Sequence, residues 1–163
     1  MKKSHKIVNM KKVGNNHQTA LKGIQAVISE LEKYGAKNSI CLQKGNQRKI
    51  EFLSPNGNTY SATVRTKTTG TWQTSIKYAE VRAENVNERD YWVFVDIGEI
   101  LPKFYPVPFW WISNDIHEAH EKYLERHGGH RKLNENSDHH AVQLNRVKKW
   151  ENNWVQLGLN CGL

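Results

Sequence analysis

The feature that most constrains this chain is a predicted β-hairpin within residues 48–73. Apolar and polar side chains alternate with a period of two on both sides of Asn56-Gly57, which is the strongest local hairpin signal in a sequence. The alternating apolar positions are Ile50 and Phe52 on the first arm and Tyr60, Ala62 and Val64 on the second. One face of the hairpin is therefore expected to be buried and the other to be polar.

The length of the loop decides which residues of the two arms face each other. A two-residue loop at Asn56-Gly57 would pair polar with apolar side chains, because a slip of one residue turns a strand over. A three-residue loop at 56–58, with one residue in the left-handed conformation, keeps the apolar side chains opposite one another. This register predicts four cross-strand pairs, namely Ile50–Val64, Phe52–Ala62, Glu51–Thr63 and Lys49–Arg65.

Helical periodicity precedes the hairpin. Four apolar residues recur at helical spacing and predict an amphipathic helix over 18–34, with Thr19 as its N-cap and Gly35 at its end. These residues are Leu21, Ile24, Ile28 and Leu31. A strand is expected over 39–43, between this helix and the hairpin.

After the hairpin, residues 74–81 are compatible with a short strand or with a helical turn. The run 91–97 is typical of a central strand covered on both faces, and 104–107, which lies between prolines, is typical of an edge strand. A second helix is predicted from Ser113-Asn114-Asp115 to Arg126, closed by Gly128-Gly129, and Trp110 and Trp111 before it are expected in the core. These elements predict an α/β fold, with a central mixed sheet of five or six strands and flanking helices.

Length and charge narrow the organisation and the partners. A chain of 163 residues has the length of a single domain. We predict that this domain spans 17–163 and that residues 1–16 form a basic, flexible N-terminal arm. Lys and Arg number 24 against 16 acidic residues, which favours phosphate-rich partners. Neither a signal peptide nor a long apolar run is visible, and Cys41 and Cys161 lie far apart. We therefore expect a cytoplasmic protein with no membrane partner and no disulfide framework.

Several stretches resemble the core of the PD-(D/E)xK nuclease superfamily and, more narrowly, a small group of bacterial proteins within it. The resemblance lies in residues 45–53, 63–67 and 70–73 and continues in 111–120, 127–131, 136–140 and a closing helix at 150–154. It implies a restriction-endonuclease-like core. In that family an Asp on one strand, and a Glu or Gln two residues before a Lys on the next strand, hold a divalent metal and position the attacking water.

Residue by residue, the resemblance places Glu51 at the Asp position, Thr63 at the Glu or Gln position and Arg65 at the Lys position. These are the candidate catalytic residues, with Glu51 as the Mg²⁺ ligand, but all three depart from the family pattern. Thr63 offers a neutral hydroxyl to an ion that prefers carboxylates. Arg65 stays protonated, so it can hold a phosphate but cannot act as a base. Glu51 and Arg65 are also placed to form a cross-strand ion pair.

Two further sets of residues suggest metal binding. Asp96, at the end of the central strand, is either a further ligand or a residue that closes a turn before Gly98. His117 and His120 share a helix face and could hold zinc together with a downstream ligand such as His139. The same histidines, interleaved with Arg126, Arg131 and Lys132, could instead line a phosphate-contacting loop or make ordinary hydrogen bonds.

Three functions follow from these observations. The first is a nuclease-like protein that binds nucleic acid without cutting it, with DNA expected first and RNA as the second candidate. Its expected contacts are Arg65, Lys67, Trp72, Gln73 and Arg131. The second is an active metal-dependent DNA endonuclease with an altered site, which would require Mg²⁺. The third is a non-enzymatic protein-interaction domain. A homodimer is compatible with each of them.

Overall fold

The structure is a computed structural model, and it describes residues 15–129 and 137–160. Its helices are α1 (Asn15–Lys33), α2 (Phe109–Arg126) and the short α3 (Leu144–Val147). Its strands are β1 (Lys37–Lys44), β2 (Gln47–Leu53), β3 (Thr59–Lys67), β4 (Trp72–Ser75), β5 (Asp90–Asp96), β6 (Lys103–Pro108) and β7 (His139–Val142). The predicted basic arm at 1–16 lies outside the described residues, except for Asn15 and Asn16, which begin α1.

Five strands form a mixed sheet in the order β1-β2-β3-β5-β6. The first three strands are an antiparallel meander, β5 is parallel to β3, and β6 is antiparallel to β5. Strands β4 and β7 pair in a separate antiparallel sheet of two strands. The predicted α/β class, with a mixed sheet and flanking helices, is confirmed. No helix within the described ranges is long and apolar enough to cross a membrane.

The hairpin formed by β2 and β3 is confirmed, but its predicted register is wrong by two residues. Its loop has the expected three residues, yet they are 55–57 instead of 56–58, because the Ser54 N–H donates to the Asn58 carbonyl and Gly57 takes the left-handed conformation. A shift of two keeps every side chain on its predicted face. The observed pairs are Lys49–Thr63, Ile50–Ala62, Glu51–Ser61 and Phe52–Tyr60.

Two apolar cores lie on opposite faces of the large sheet. On one face, α1 covers side chains of the sheet that include Ile50, Phe52 and Val93. On the other face, α2 and the small sheet cover Trp92, Phe94 and their neighbours. The run 90–96 thus supplies alternate residues to both cores, which is why its sequence is almost continuously apolar. The central position predicted for β5 and the edge position predicted for β6 are both confirmed.

Helix α2 begins at Phe109, four residues before the predicted start. The polar triplet 113–115 resembled a cap, but its side chains bind other segments. Ser113 Oγ donates to the Tyr78 carbonyl, and Asn114 clamps Arg82 from both sides, accepting from its N–H at 2.7 Å and donating to its carbonyl at 2.8 Å. The helix also includes Trp110 and Trp111, which are both half-buried. Trp111 packs against the core on this face of the sheet, as predicted, whereas Trp110 does not belong to that cluster.

Two other segments settle or correct predictions. Residues 74–81 contain both expected elements, since β4 is followed by a 3₁₀ turn at Ile76–Tyr78. The closing helix predicted at 150–154 is wrong, because the chain there forms separate 3₁₀ turns at Lys148–Trp150 and Val155–Leu157. Between them Asn152 has a positive φ of 55°, and its N–H donates to the Phe104 carbonyl instead of continuing a helix.

Candidate functional site

The three residues matched to the nuclease motif lie on one face of the sheet but in different surroundings. Glu51 is exposed and lies opposite Ser61. Thr63 is only 2% exposed and lies between Lys49 on β2 and Trp92 on β5. The hydroxyl of Thr63 is thus closed off from an ion bound at the surface.

Arg65 lies against aromatic side chains. Its guanidinium carbon is 5.3 Å from the centre of the Trp92 ring, within the range of a cation–π contact. Burial lowers the pKa of Arg65, and the neighbouring Tyr78 hydroxyl partly offsets that shift. Its Nε is buried without a hydrogen-bond partner in the described structure. The predicted pair with Glu51 is not formed, because Glu51 lies opposite Ser61.

One row of side chains brings a second acid near Glu51. Glu51, Ser61 and Asp90 lie side by side on β2, β3 and β5. Ser61 Oγ donates to the Asp90 carboxylate, and Lys49 Nζ lies 3.7 Å from it. Strands lie about 4.8 Å apart, so the backbones of the two acids are about 10 Å apart. Because Asp90 already has a cation and a donor, this row is a weak Mg²⁺ site.

Lys67, Trp72 and Asp96 form a buried junction where β3 and β5 end. Lys67 Nζ lies 3.1 Å from the Asp96 carboxylate and 4.6 Å from the centre of the Trp72 ring. Trp72 is fully buried and donates from Nε1 to the Val95 carbonyl at 2.9 Å. Asp96 also accepts from the Gly98 N–H at 2.8 Å, so it closes the turn. Burial leaves Trp72 unable to stack on a base.

The remaining expected contacts are more accessible or lie elsewhere. Gln73 is exposed, and its amide donates to the Thr71 hydroxyl at 3.0 Å. Arg131 lies outside the described residues. Of the nucleic-acid contacts expected from the sequence, Gln73 therefore has the most accessible side chain in the described part of the chain.

The structure shows a second, larger site that we call the histidine cleft. It lies between α2 and the segment β7–α3 and has a volume of about 530 Å³. Its polar lining comprises Asp115, Glu118, His120, Lys122, Tyr123, Arg126, His139, His140, Gln143 and Arg146. Three cationic and two acidic side chains are among them, an excess of one positive charge while the imidazoles are neutral.

Arg146 forms the rigid part of the cleft. Its Nη2 and Nε donate to Asp115 Oδ2 at 2.6 and 2.9 Å, and its Nη1 donates to the Ala141 carbonyl at 2.9 Å. Its Nη2 is also 3.0 Å from His140 Nε2. The side chains of Arg146 and Asp115 are 17% and 19% exposed. The pair therefore fixes α3 against α2 while remaining open to the cleft.

The rim of the cleft follows the second half of α2. Lys122 donates to Glu118 at 2.9 Å, and this hydrogen bond holds the pKa of Glu118 below its ordinary value. Arg126 donates from Nε to the Lys122 carbonyl at 3.2 Å and is exposed. The rings of Tyr123 and His127 stack with their centres 4.2 Å apart. The rim thus presents two cations and stacked rings to solvent.

The fold divides the histidines that suggested zinc. His120 and His139 line the cleft, whereas His117 does not. Within the ranges that the structure describes, no three His, Cys, Asp or Glu side chains are placed to hold a metal ion. The arrangement suits an anion better than a cation, since imidazoles and guanidinium groups donate hydrogen bonds to phosphate.

Sequence reasoning missed Lys122 and Arg146, which belong to separate segments of the chain. A signal for Lys122 was available, because Asp115, Glu118, Lys122 and Arg126 recur every three or four residues and so share one side of α2. No local signal indicates Arg146. Its place in the cleft depends on the packing of α3 against α2.

Comparison with protein-family models, with curated proteins and with solved structures finds no match to this chain.

Proposed function

We propose that this protein binds nucleic acid through phosphate contacts, with DNA as the first candidate ligand and RNA as the second. Its core is restriction-endonuclease-like and does not cut the bound nucleic acid. The observation that carries this proposal is the state of the motif positions. Glu51 is exposed in a row whose other acid is already paired, Thr63 is buried, and Arg65 lies against Trp92. A hydrolytic Mg²⁺ site needs more carboxylate than this face supplies.

The charge of the chain supports a phosphate partner. The formal net charge is +8 with neutral histidines, and a strongly basic surface attracts polyanions over long distances. The histidine cleft is a concave site with an excess of one positive charge, where the exposed Arg126 and Lys122 lie on α2 beside Arg146. Guanidinium groups match phosphate oxygens with paired donors. Phosphates in the cleft would therefore provide most of the affinity.

Salt dependence tests the proposal. The fluorescence anisotropy of a labelled oligonucleotide should show affinity falling steeply between about 50 and 200 mM salt, because bound phosphates release counterions. Replacing Lys122 and Arg126 together with Ala should lower the slope of log affinity against log salt by about 2, since each phosphate contact contributes about 1.

Lys33→Ala is the matched control. Lys33 is an exposed cation on α1, remote in sequence and fold from the cleft, so its replacement should leave the slope within about 0.3 of wild type. Affinity that does not change with ionic strength would rule out a phosphate-based mode. An unchanged slope in the double variant would move the contacts away from the cleft.

A plasmid-nicking assay with Mg²⁺ or Mn²⁺ separates binding from catalysis. The wild-type protein should leave the plasmid intact, because the motif face lacks a carboxylate cluster. The alternative of an active endonuclease is favoured by the exposure of Glu51 in the same row as Asp90. Nicking by wild type that disappears in Glu51→Ala would establish that alternative.

A further inference from the structure

A groove lined by tryptophans lies at the start of α2, separate from the histidine cleft. It has a volume of about 440 Å³. Trp110, Trp111 and Trp150 line it together with Lys149, and the segment 84–86 forms part of its opposite wall. All three indoles are half-buried. Trp111 and Trp150 pack against the core beneath them, while the exposed parts of the three indoles give the groove an aromatic surface that a ligand can reach, so this groove is a candidate binding surface.

Two of the three rings of the groove, those of Trp111 and Trp150, pack against each other. The centres of Trp111 and Trp150 are 5.5 Å apart with an interplanar angle of 66°, which is a favourable edge-to-face arrangement. Lys149 Nζ lies 4.5 Å from the centre of the Trp111 ring and 5.4 Å from that of Trp150. Trp150 Nε1 is buried and has no hydrogen-bond acceptor in the described structure. Ring packing, and not a hydrogen bond, thus sets the orientation of Trp150.

The opposite wall of the groove is also held in place. Asn114 binds both the N–H and the carbonyl of Arg82, and the Arg82 guanidinium carbon lies 4.6 Å from the centre of the Phe109 ring. Further along, Asn85 accepts from the Asn87 N–H through its side chain. The chain that leads into this wall is therefore anchored to α2 at Arg82 before a ligand arrives, which reduces the entropy lost on binding.

The groove and the histidine cleft lie along one side of α2. Trp111, Asp115, Glu118 and Lys122 follow each other at steps of three or four residues, and eleven residues of helix span about 16 Å. The segment that contains α3 connects the two sites, because Arg146 binds Asp115 and Lys149 lies over Trp111. One extended ligand can therefore reach both.

We infer that the tryptophan groove accepts an unpaired nucleobase from a strand whose phosphates lie in the histidine cleft, so that the preferred ligand is single-stranded. This inference rests on the proposed function. Bases in a duplex are already stacked and paired, whereas an unpaired base can stack on an indole at little cost. Lys149 is exposed and lies over Trp111 and Trp150, so its ammonium group is within reach of the phosphate next to that base.

A proline-rich peptide is the other ligand that aromatic grooves commonly bind. The charge of the surface favours the nucleic acid. Lys149 lies over two of the rings, Arg146 is paired with Asp115, and Lys122 and Arg126 lie further along α2 beyond Glu118. Four cations thus face Glu84, Asp115 and Glu118 along this path, and an excess of positive charge suits phosphates, whereas a proline-rich segment needs none.

The test compares an oligothymidine of about 15 nucleotides with a duplex of the same length at one fixed salt concentration. The wild-type protein should bind the single strand about tenfold more tightly. Trp111→Ala should remove most of that preference, about a tenfold loss for the single strand and less than about twofold for the duplex. Trp111→Phe, which keeps an aromatic face, should recover most of the affinity.

Further measurements check that the loss of binding does not come from a folding defect. Circular dichroism and the urea midpoint should show that Trp111→Ala remains folded. Lys149→Met removes an exposed cation together with its contacts to Trp111 and Trp150, and it should weaken single-strand binding and lower its salt slope by about 1.

Each outcome bears on a definite claim. Equal affinity for the two ligands, or a single-strand affinity untouched by both Trp111→Ala and Lys149→Met, would overturn the inference while leaving salt-dependent binding intact. A proline-rich peptide could displace the oligothymidine from the groove while the phosphates stay bound in the cleft. That result would assign the groove to a peptide. Absence of salt-dependent binding to every nucleic acid would overturn the proposed function itself.

Discussion

Cation–aromatic pairs occur on the sheet and on α2, and they have opposite roles in the two places. In the β-sheets, Lys67 of the large sheet lies over Trp72 of the small sheet, and Arg65 lies over Trp92 within the large sheet. The two indoles are 0% and 2% exposed. On the α2 side, Lys149 lies over Trp111, which is half-buried and keeps part of its ring accessible. The difference teaches that residue types alone do not distinguish a core contact from a binding surface. The accessibility of the ring distinguishes them.

The largest expected effect is on stability and belongs to the sheet. Trp72→Ala should lower the free energy of unfolding by about 3–5 kcal/mol, because it leaves a cavity and removes the hydrogen bond to Val95. Trp111→Ala, the matched change on α2, should cost about 2 kcal/mol because that ring is partly exposed already. Urea unfolding of both variants measures the contrast. Equal losses would mean that the groove is simply part of the core.

A smaller effect on stability is expected where the histidine cleft adjoins the tryptophan groove. Removing the partner of Arg146 by Asp115→Ala should cost about 1–3 kcal/mol, between the values for exposed and fully buried ion pairs. The exposed pair of Lys77 and Asp138, with side chains 74% and 51% accessible, is the control, and Asp138→Ala should cost less than about 1 kcal/mol.

A double-mutant cycle with Arg146→Met isolates the pair from the rest of the cleft. Coupling close to zero would show that Arg146 is positioned by its contact with the Ala141 carbonyl and not by Asp115.

The smallest effect concerns binding by the sheet. Arg65→Ala should change the affinity for DNA by less than about twofold, whereas Arg126→Ala should lower the salt slope by about 1. The physical reason is that Arg65 is committed to Trp92, while Arg126 is exposed. Anisotropy titrations at several salt concentrations compare the two. A larger loss from Arg65→Ala would return the nucleic-acid contact to the motif face.

Much of the fold was predictable because its signals are local. The alternation around Asn56-Gly57 identified the hairpin and its buried face, and the apolar run at 91–97 identified a strand covered on both sides. The register failed by two residues because Ser54 and Asn58 close the loop one residue earlier than expected on each side. That shift leaves the face of every side chain unchanged, so periodicity could not detect it.

The start of α2 failed for a different reason. Ser113-Asn114-Asp115 has the composition of a helix cap, but these side chains bind Tyr78, Arg82 and Arg146 in other segments. A local signal and a tertiary contact can require the same polar residues. The sequence does not say which of the two applies.

By itself, the sequence determined the class of the fold, the polar face of the hairpin and the excess of positive charge, because alternation, helical spacing and composition act over short distances. Only the tertiary structure decided which cations and rings remain accessible. Packing buried Trp72 and Trp92 while leaving Trp111 and Arg126 at the surface. Burial is a property of segments that meet from distant parts of the chain, and no short stretch of sequence contains it.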